Sequence, residues 1–129
     1  MLKVNLLIVT LASFFVLNSS SSWAFNQYNE TAFNTNIYSA KMVLVLFESD
    51  KCEICNKQSN AASQLLTNPR FKDITIFNVD FESAKSIVKK FHVAKTGTII
   101  LMKGLTEVFR TSSPLEQNKL AAEIEKTME

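Results

Sequence analysis

Apolar residues fall into blocks of two kinds along this chain. Met42-Val43-Leu44-Val45-Leu46-Phe47 is an unbroken apolar run without glycine or proline. Such a run suits a central strand covered on both faces, because polar alternation develops only where one face meets water. Further strands are predicted over residues 74–79 and 98–102, and a fourth over 107–111, beyond the turn Lys103-Gly104-Leu105-Thr106. Other blocks follow helical spacing. Phe33 and Ile37, four apart, mark a weakly amphipathic helix within residues 25–40, expected at the sheet edge. Cys55, Ala62, Leu65 and Leu66 line one side of a second helix, which Asn68-Pro69 ends because a residue before proline is pushed out of the α region. Ala84, Ile87, Val88 and Phe91 give a third helix over 82–91. Leu120, Ile124 and Met128 form the stripe of a last helix, with Pro114 at its first position and Ser113/Glu116 as a capping box.

The order is α-β-α-β-α-β-β-α. A strand, a helix and a second strand over 42–79 form a right-handed βαβ unit with parallel strands. The short return after residue 102 makes an antiparallel hairpin. An α/β domain follows, with a mixed four-stranded sheet and helices on both faces. The 129 residues allow one such domain, and nearly half of them are apolar, enough for a core without staples.

Residues 1–24 read differently. Met1-Leu2-Lys3 carries one positive charge, residues 6–17 are apolar except Thr10 and Ser13, and the stretch ends in a small-x-small pattern at Ser22 and Ala24. These are the three regions of a secretory signal, with cleavage expected after Ala24. The apolar run falls short of the roughly 20 residues needed to span a bilayer. The expected organisation is a signal peptide over 1–24 and one domain over 25–129, with no stable membrane insertion after cleavage. An oxidising compartment, where disulfides persist, is implied.

The formal charge is +2, with both signs scattered, and no basic run interleaved with aromatics points to nucleic acid. The only two cysteines make no disulfide framework. Their placement is more informative. Glu48-Ser49-Asp50-Lys51 forms a polar turn after the central strand, and Cys52-Glu53-Ile54-Cys55 opens the next helix. Residues i and i+3 share a helical face, so the thiols can meet. At a helix N-terminus, unpaired N–H groups and the dipole stabilise a thiolate, the species that attacks disulfides. Cys52 is therefore the candidate nucleophile, and Cys55, deeper in the helix, the resolving thiol. A structural role is weak, since a bridge closing so short a loop restrains the unfolded chain little.

The order of elements, with Cys-x-x-Cys after the first core strand, resembles the thioredoxin fold. The flanks Asn68-Pro69-Arg70-Phe71, Val79-Asp80-Phe81 and Thr98-Ile99-Ile100-Leu101-Met102-Lys103-Gly104 are similar to those of small exported bacterial thioredoxin-like proteins. The resemblance implies a thiol–disulfide oxidoreductase of the bacterial periplasm, acting as a monomer. Its partners would be protein thiols and disulfides and an upstream redox partner, and its redox centre would be the dithiol itself, without a separate cofactor. It also implies a substrate loop at Thr96, Gly97 and Thr98. There the usual cis-proline is replaced by Gly97, so a trans bond and a looser loop are expected. Leu46 stands where thioredoxin has a buried aspartate; Glu48 is the nearest acid upstream and either substitutes for it through water or, as the preferred reading, is a solvated carboxylate. Lys51 replaces the usual tryptophan. Its charge favours a Cys52 thiolate while Glu53 opposes it, and Glu53-Ile54 between the cysteines tunes the pair. The alternative is a non-enzymatic copper(I)-binding module on the same two soft thiols. A closed zinc site is not expected, since His92 is the only histidine.

Overall fold

The computed structural model describes residues 25–129; the predicted signal segment lies outside them. Its strands are β1 (Phe25–Gln27), β2 (Met42–Glu48), β3 (Thr75–Asp80), β4 (Thr98–Lys103) and β5 (Thr106–Thr111). Its helices are α1 (Glu30–Tyr38), α2 (Glu53–Leu65), α3 (Lys85–Lys90) and α4 (Gln117–Met128). The strands form one sheet in the order β1-β3-β2-β4-β5. β3 runs parallel to β1 and β2, and β4 is antiparallel to β2 and β5. The βαβ unit and the hairpin are both as expected.

β2 explains why the central apolar run shows no alternation. Its even residues Leu44 and Leu46 face one layer, with Ala61, Ala62 and Leu65 of α2 and Leu120 and Ile124 of α4. Its odd residues Val43, Val45 and Phe47 face the other, with Phe33 and Ile37 of α1 and Val88 of α3. Period-two alternation thus separates two apolar layers rather than core from water.

Several features differ from the sequence reading. The sheet has five strands, not four, because Phe25–Gln27 pairs with β3 at the edge. Only Phe25 of that strand is buried, so its burial carries no alternating signal. Helix α1 accordingly begins later, capped by Asn29, whose side chain accepts from the Ala32 N–H at 3.0 Å. It lies on a face of the sheet, the edge being taken by β1.

Helix α3 starts at Lys85 rather than residue 82, after a turn in which Asp80 Oδ1 accepts from the Glu82 N–H. The capping box before α4 does not form. The helix starts at Gln117, Glu116 makes no side-chain cap, and the Ser113 N–H donates to Thr111 Oγ1. Leu120 and Ile124 are fully buried, but Met128 in the last turn is 44% exposed, so the stripe stops a turn early. No described helix is long and apolar enough to cross a membrane.

Candidate active site

β2 ends at Glu48, and the turn that follows brings the chain to α2. Lys51 sits in the left-handed region with φ 58°, uncommon for a residue with a side chain, which sharpens that turn. Cys52 is the N-cap of α2. Its Sγ accepts from the Cys55 N–H at 3.1 Å, so the sulfur occupies the place an Asp or Ser side chain often takes at a helix start. Cys52 and Cys55 are joined as a disulfide, with Cα atoms 5.2 Å apart. Cys52 is half-buried and Cys55 is buried at 3% exposure. Cys52 is thus the more exposed residue of the pair and Cys55 the covered one.

The helix terminus supplies partial positive charge to the outer sulfur. Flanking charges weigh less. Lys51 is exposed, and Glu53 is exposed and pairs with Lys57 at 3.7 Å, an ion pair of small energy in water. Ile54 is half-buried beside the disulfide, whereas Phe47 is fully buried and belongs to the core.

The loop before β4 comes to the cysteines. Thr96 Oγ1 lies 3.4 Å from Cys55 Sγ and 4.0 Å from Cys52 Sγ. Gly97 has φ +77°, and a Cβ built on it would meet Ile54 Cγ2 at 3.0 Å and Cys52 Sγ at 3.7 Å. Both facts call for glycine: the conformation disfavours a side chain and the space is taken by the motif. Thr98 is placed otherwise. Its hydroxyl donates to the Lys95 carbonyl at 2.8 Å and lies 2.8 Å from Ser112 Oγ, holding the loop rather than lining the disulfide.

No cis peptide bond occurs among the described residues, so Thr96–Gly97 is trans. The loop is nonetheless well anchored. The Gly97 N–H donates to the Phe47 carbonyl at 2.9 Å, and Gln58 Nε2 donates to the Gly97 carbonyl at 2.7 Å. Gln58 also donates to the Ser113 carbonyl at 3.0 Å, tying α2 to both the loop and the approach to α4. At 1% exposure it is a buried amide within an apolar layer. Sequence reasoning missed Gln58, although a glutamine on the buried side of α2, one turn beyond Cys55, was the signal available. Gln58→Leu leaves two carbonyls short of a donor and should cost about 1–3 kcal/mol, read by urea unfolding. A loss below about 0.5 kcal/mol would show that the amide does not anchor the loop.

Two other polar groups complete the surroundings. Glu48 is not the freely solvated carboxylate expected. It is half-buried and accepts from the Ser59 hydroxyl, and burial pushes its carboxyl above the usual range, partly offset by that bond. Ser49, also overlooked, is half-buried with its Oγ 2.9 Å from Thr96 Oγ1. Both residues line an open cleft of about 600 Å³, shared with Asp50, Asn78, Asp80 and Glu82. His92 is exposed at the end of α3. Among the described residues no group of three or more His, Cys, Asp or Glu is placed to hold a metal ion.

A Cys-x-x-Cys disulfide capping the helix after the central strand of a mixed sheet, faced by the loop before an antiparallel strand, defines a dithiol–disulfide redox fold. A family model described as Thioredoxin matches residues 24–126, and the chain belongs to the thioredoxin family. It is similar to the crystal structure of Trxlp from Edwardsiella tarda, at 27% identity and TM-score 0.68, over 78% of this chain and 95% of that one. Thioredoxin-2 of a malaria parasite, described as a component of its protein secretion machinery, matches at 29% identity and TM-score 0.61, over 67% of this chain and 82% of its own. A thioredoxin variant from Halobacterium salinarum shares the fold, with TM-score 0.70 at 17% identity over 81% of this chain and 90% of that one. No curated protein sequence was found to match.

Proposed function

We propose that the protein is an exported thiol–disulfide oxidoreductase acting on cysteines of other proteins, with Cys52 attacking and Cys55 resolving. Membership of the thioredoxin family and the Cys-x-x-Cys pair support oxidoreductase chemistry in general. The observation that carries the assignment of roles is the asymmetry of the pair. Cys52 is half-buried and hydrogen-bonded at the helix start, while Cys55 is covered.

In the forward step the Cys52 thiolate attacks one sulfur of a substrate disulfide. That S–S bond breaks, a mixed disulfide forms, and the first substrate thiolate leaves. The Cys55 thiolate then attacks Cys52 Sγ. The Cys52–Cys55 bond forms, the second substrate thiolate leaves, and two electrons have passed from the protein to the substrate. An upstream redox partner resets the pair. Run backwards, the same steps oxidise a substrate dithiol. Export rests on the segment over residues 1–24, and a periplasmic setting on the likeness of the flanking motifs to exported bacterial relatives. The pair itself serves as the redox centre.

The test is turnover of a protein disulfide by the reduced protein, with Cys52→Ser as the control. Exchange that vanishes with Cys52 supports the reading. Negligible exchange, with tight copper(I) binding by the reduced protein, would favour the metal-binding alternative on two thiolates.

A further inference from the structure

Cys55 carries a problem that its burial creates. At 3% exposure it has little contact with water, yet its thiol proton must leave before the sulfur attacks the mixed disulfide. Position 46, one layer inside the sheet, is a fully buried leucine and accepts no proton. The polar side chain beside Cys55 Sγ is Thr96, with its Oγ1 at 3.4 Å. That hydroxyl is in turn 2.9 Å from Ser49 Oγ. In the disulfide Cys55 Sγ has no proton and only accepts from the Thr96 hydroxyl, whereas between Thr96 and Ser49 either oxygen is able to donate; once the pair is reduced, the Cys55 proton has this same row of hydroxyls to leave along, toward Ser49. Ser49 lines the open cleft of about 600 Å³ and so connects the chain to solvent.

We propose that Thr96 and Ser49 form the proton path from Cys55 to the cleft, Thr96 as a catalytic residue touching the sulfur and Ser49 as the positioning residue behind it. This rests on the oxidoreductase reading above. The Cys55 S–H proton passes to Thr96 Oγ1 as the Thr96 proton passes to Ser49 Oγ and the Ser49 proton passes to cleft water. The Cys55 thiolate so formed attacks Cys52 Sγ, and the substrate thiolate leaves with the electron pair and takes a proton from solvent. Neither hydroxyl gains or loses a proton overall, and no further oxidant or reductant enters. The same hydrogen bonds hold Thr96 in position: its hydroxyl bridges the sulfur and Ser49, and Gly97 beside it is pinned by Gln58 and Phe47.

The experiment is stopped-flow reaction of the reduced full chain with 5,5′-dithiobis(2-nitrobenzoate). Attack by Cys52 releases the first thionitrobenzoate, and resolution by Cys55 releases the second, so the two steps appear as separate phases. In Thr96→Val the first phase should stay within about twofold and the second slow by about tenfold or more, a modest share of what proton transfer commonly supplies. Thr96→Ser should restore it. Ser49→Ala, a milder change at a half-buried site, should slow the second phase alone. An unchanged second phase in both Thr96→Val and Ser49→Ala would overturn the proposal. Equal slowing of both phases, or a second phase slowed by Glu48→Gln and not by Thr96→Val, would do the same. A wild-type protein that releases no thionitrobenzoate would instead sink the oxidoreductase reading itself.

Discussion

Cys52→Ser should abolish disulfide exchange, lowering turnover of a protein disulfide by about 10³-fold or more. The reason lies in what the other residues cannot replace. Cys55 is buried, so it offers an incoming disulfide little access. The helix terminus and the Cys55 N–H both act on the sulfur at position 52, where a serine oxygen would accept the same bond but would not ionise near neutral pH. Fold and loop remain in the variant, so circular dichroism should be unchanged. Cys55→Ser differs in kind. It retains the attacking thiol and should accumulate mixed disulfide with substrate, visible as a slower band on non-reducing gels. If Cys52→Ser and wild type turned over equally, Cys52 would not be the nucleophile.

The largest effect on stability is expected at Phe47. It is fully buried at the end of β2, within an aromatic group that includes Phe91, whose ring centroid is 5.7 Å away. Phe33 and Phe77 lie in the same layer, their centroids 6.0 Å apart. Truncation to alanine removes the ring and leaves a cavity that the rigid central strand cannot collapse. Phe47→Ala should cost about 3–5 kcal/mol, against a total of about 5–15 kcal/mol for an ordinary domain. Phe47→Leu should cost about 1–1.5 kcal/mol, since volume is largely kept. The site should suffer as well, because the Phe47 carbonyl accepts from the Gly97 N–H and lies 3.9 Å from Cys55 Sγ. Urea unfolding gives the first effect and exchange rate the second. A cost below about 1 kcal/mol would mean that the layer behind the disulfide is not packed around this ring.

Much of this architecture was legible in the residues. The run from Met42 to Phe47 announced a doubly covered strand, and its two faces do carry separate apolar layers. The periodic spacings in α1, α2 and the first part of α4 marked their buried sides, because a helix facing a sheet must present one apolar stripe. Shorter elements were hidden. β1 has three residues and one buried side chain, too few for any period to show. Ser113 and Glu116 had the right spacing for a capping box, but the Ser113 N–H that Glu116 would accept from donates instead to Thr111 Oγ1, and the helix starts later, at Gln117.

The candidate site divides the same way. Cys52, Cys55, Ile54 and Gly97 could be picked out because the motif and the glycine are local signals, and the structure brings them together. Thr96 belongs with them through its hydroxyl contacts, while Thr98 faces Lys95 and Ser112 instead. Gln58 and Ser49 were passed over. Gln58 stood out locally only as a glutamine on the buried side of α2, Ser49 not at all, and the partners that give both their roles lie 39 and 47 residues away in the chain. Glu48 misled for a related reason. A carboxylate beside a turn reads as solvated, whereas its burial and its bond from Ser59 arise only once α2 packs over the end of β2.

On this reading Cys52–Cys55 is a working redox couple rather than a fixed bridge. The most direct measurement is the reduction potential of that pair on the purified protein, equilibrated in graded thiol–disulfide buffers. Reversible two-electron exchange is expected, about 30 mV per tenfold change in the ratio, with a midpoint between about −270 and −120 mV, the span of working dithiol proteins. A value near the lower end would indicate a reductase and one near the upper end a disulfide donor. A pair that does not equilibrate, or whose potential falls below about −300 mV as in structural disulfides, would contradict it.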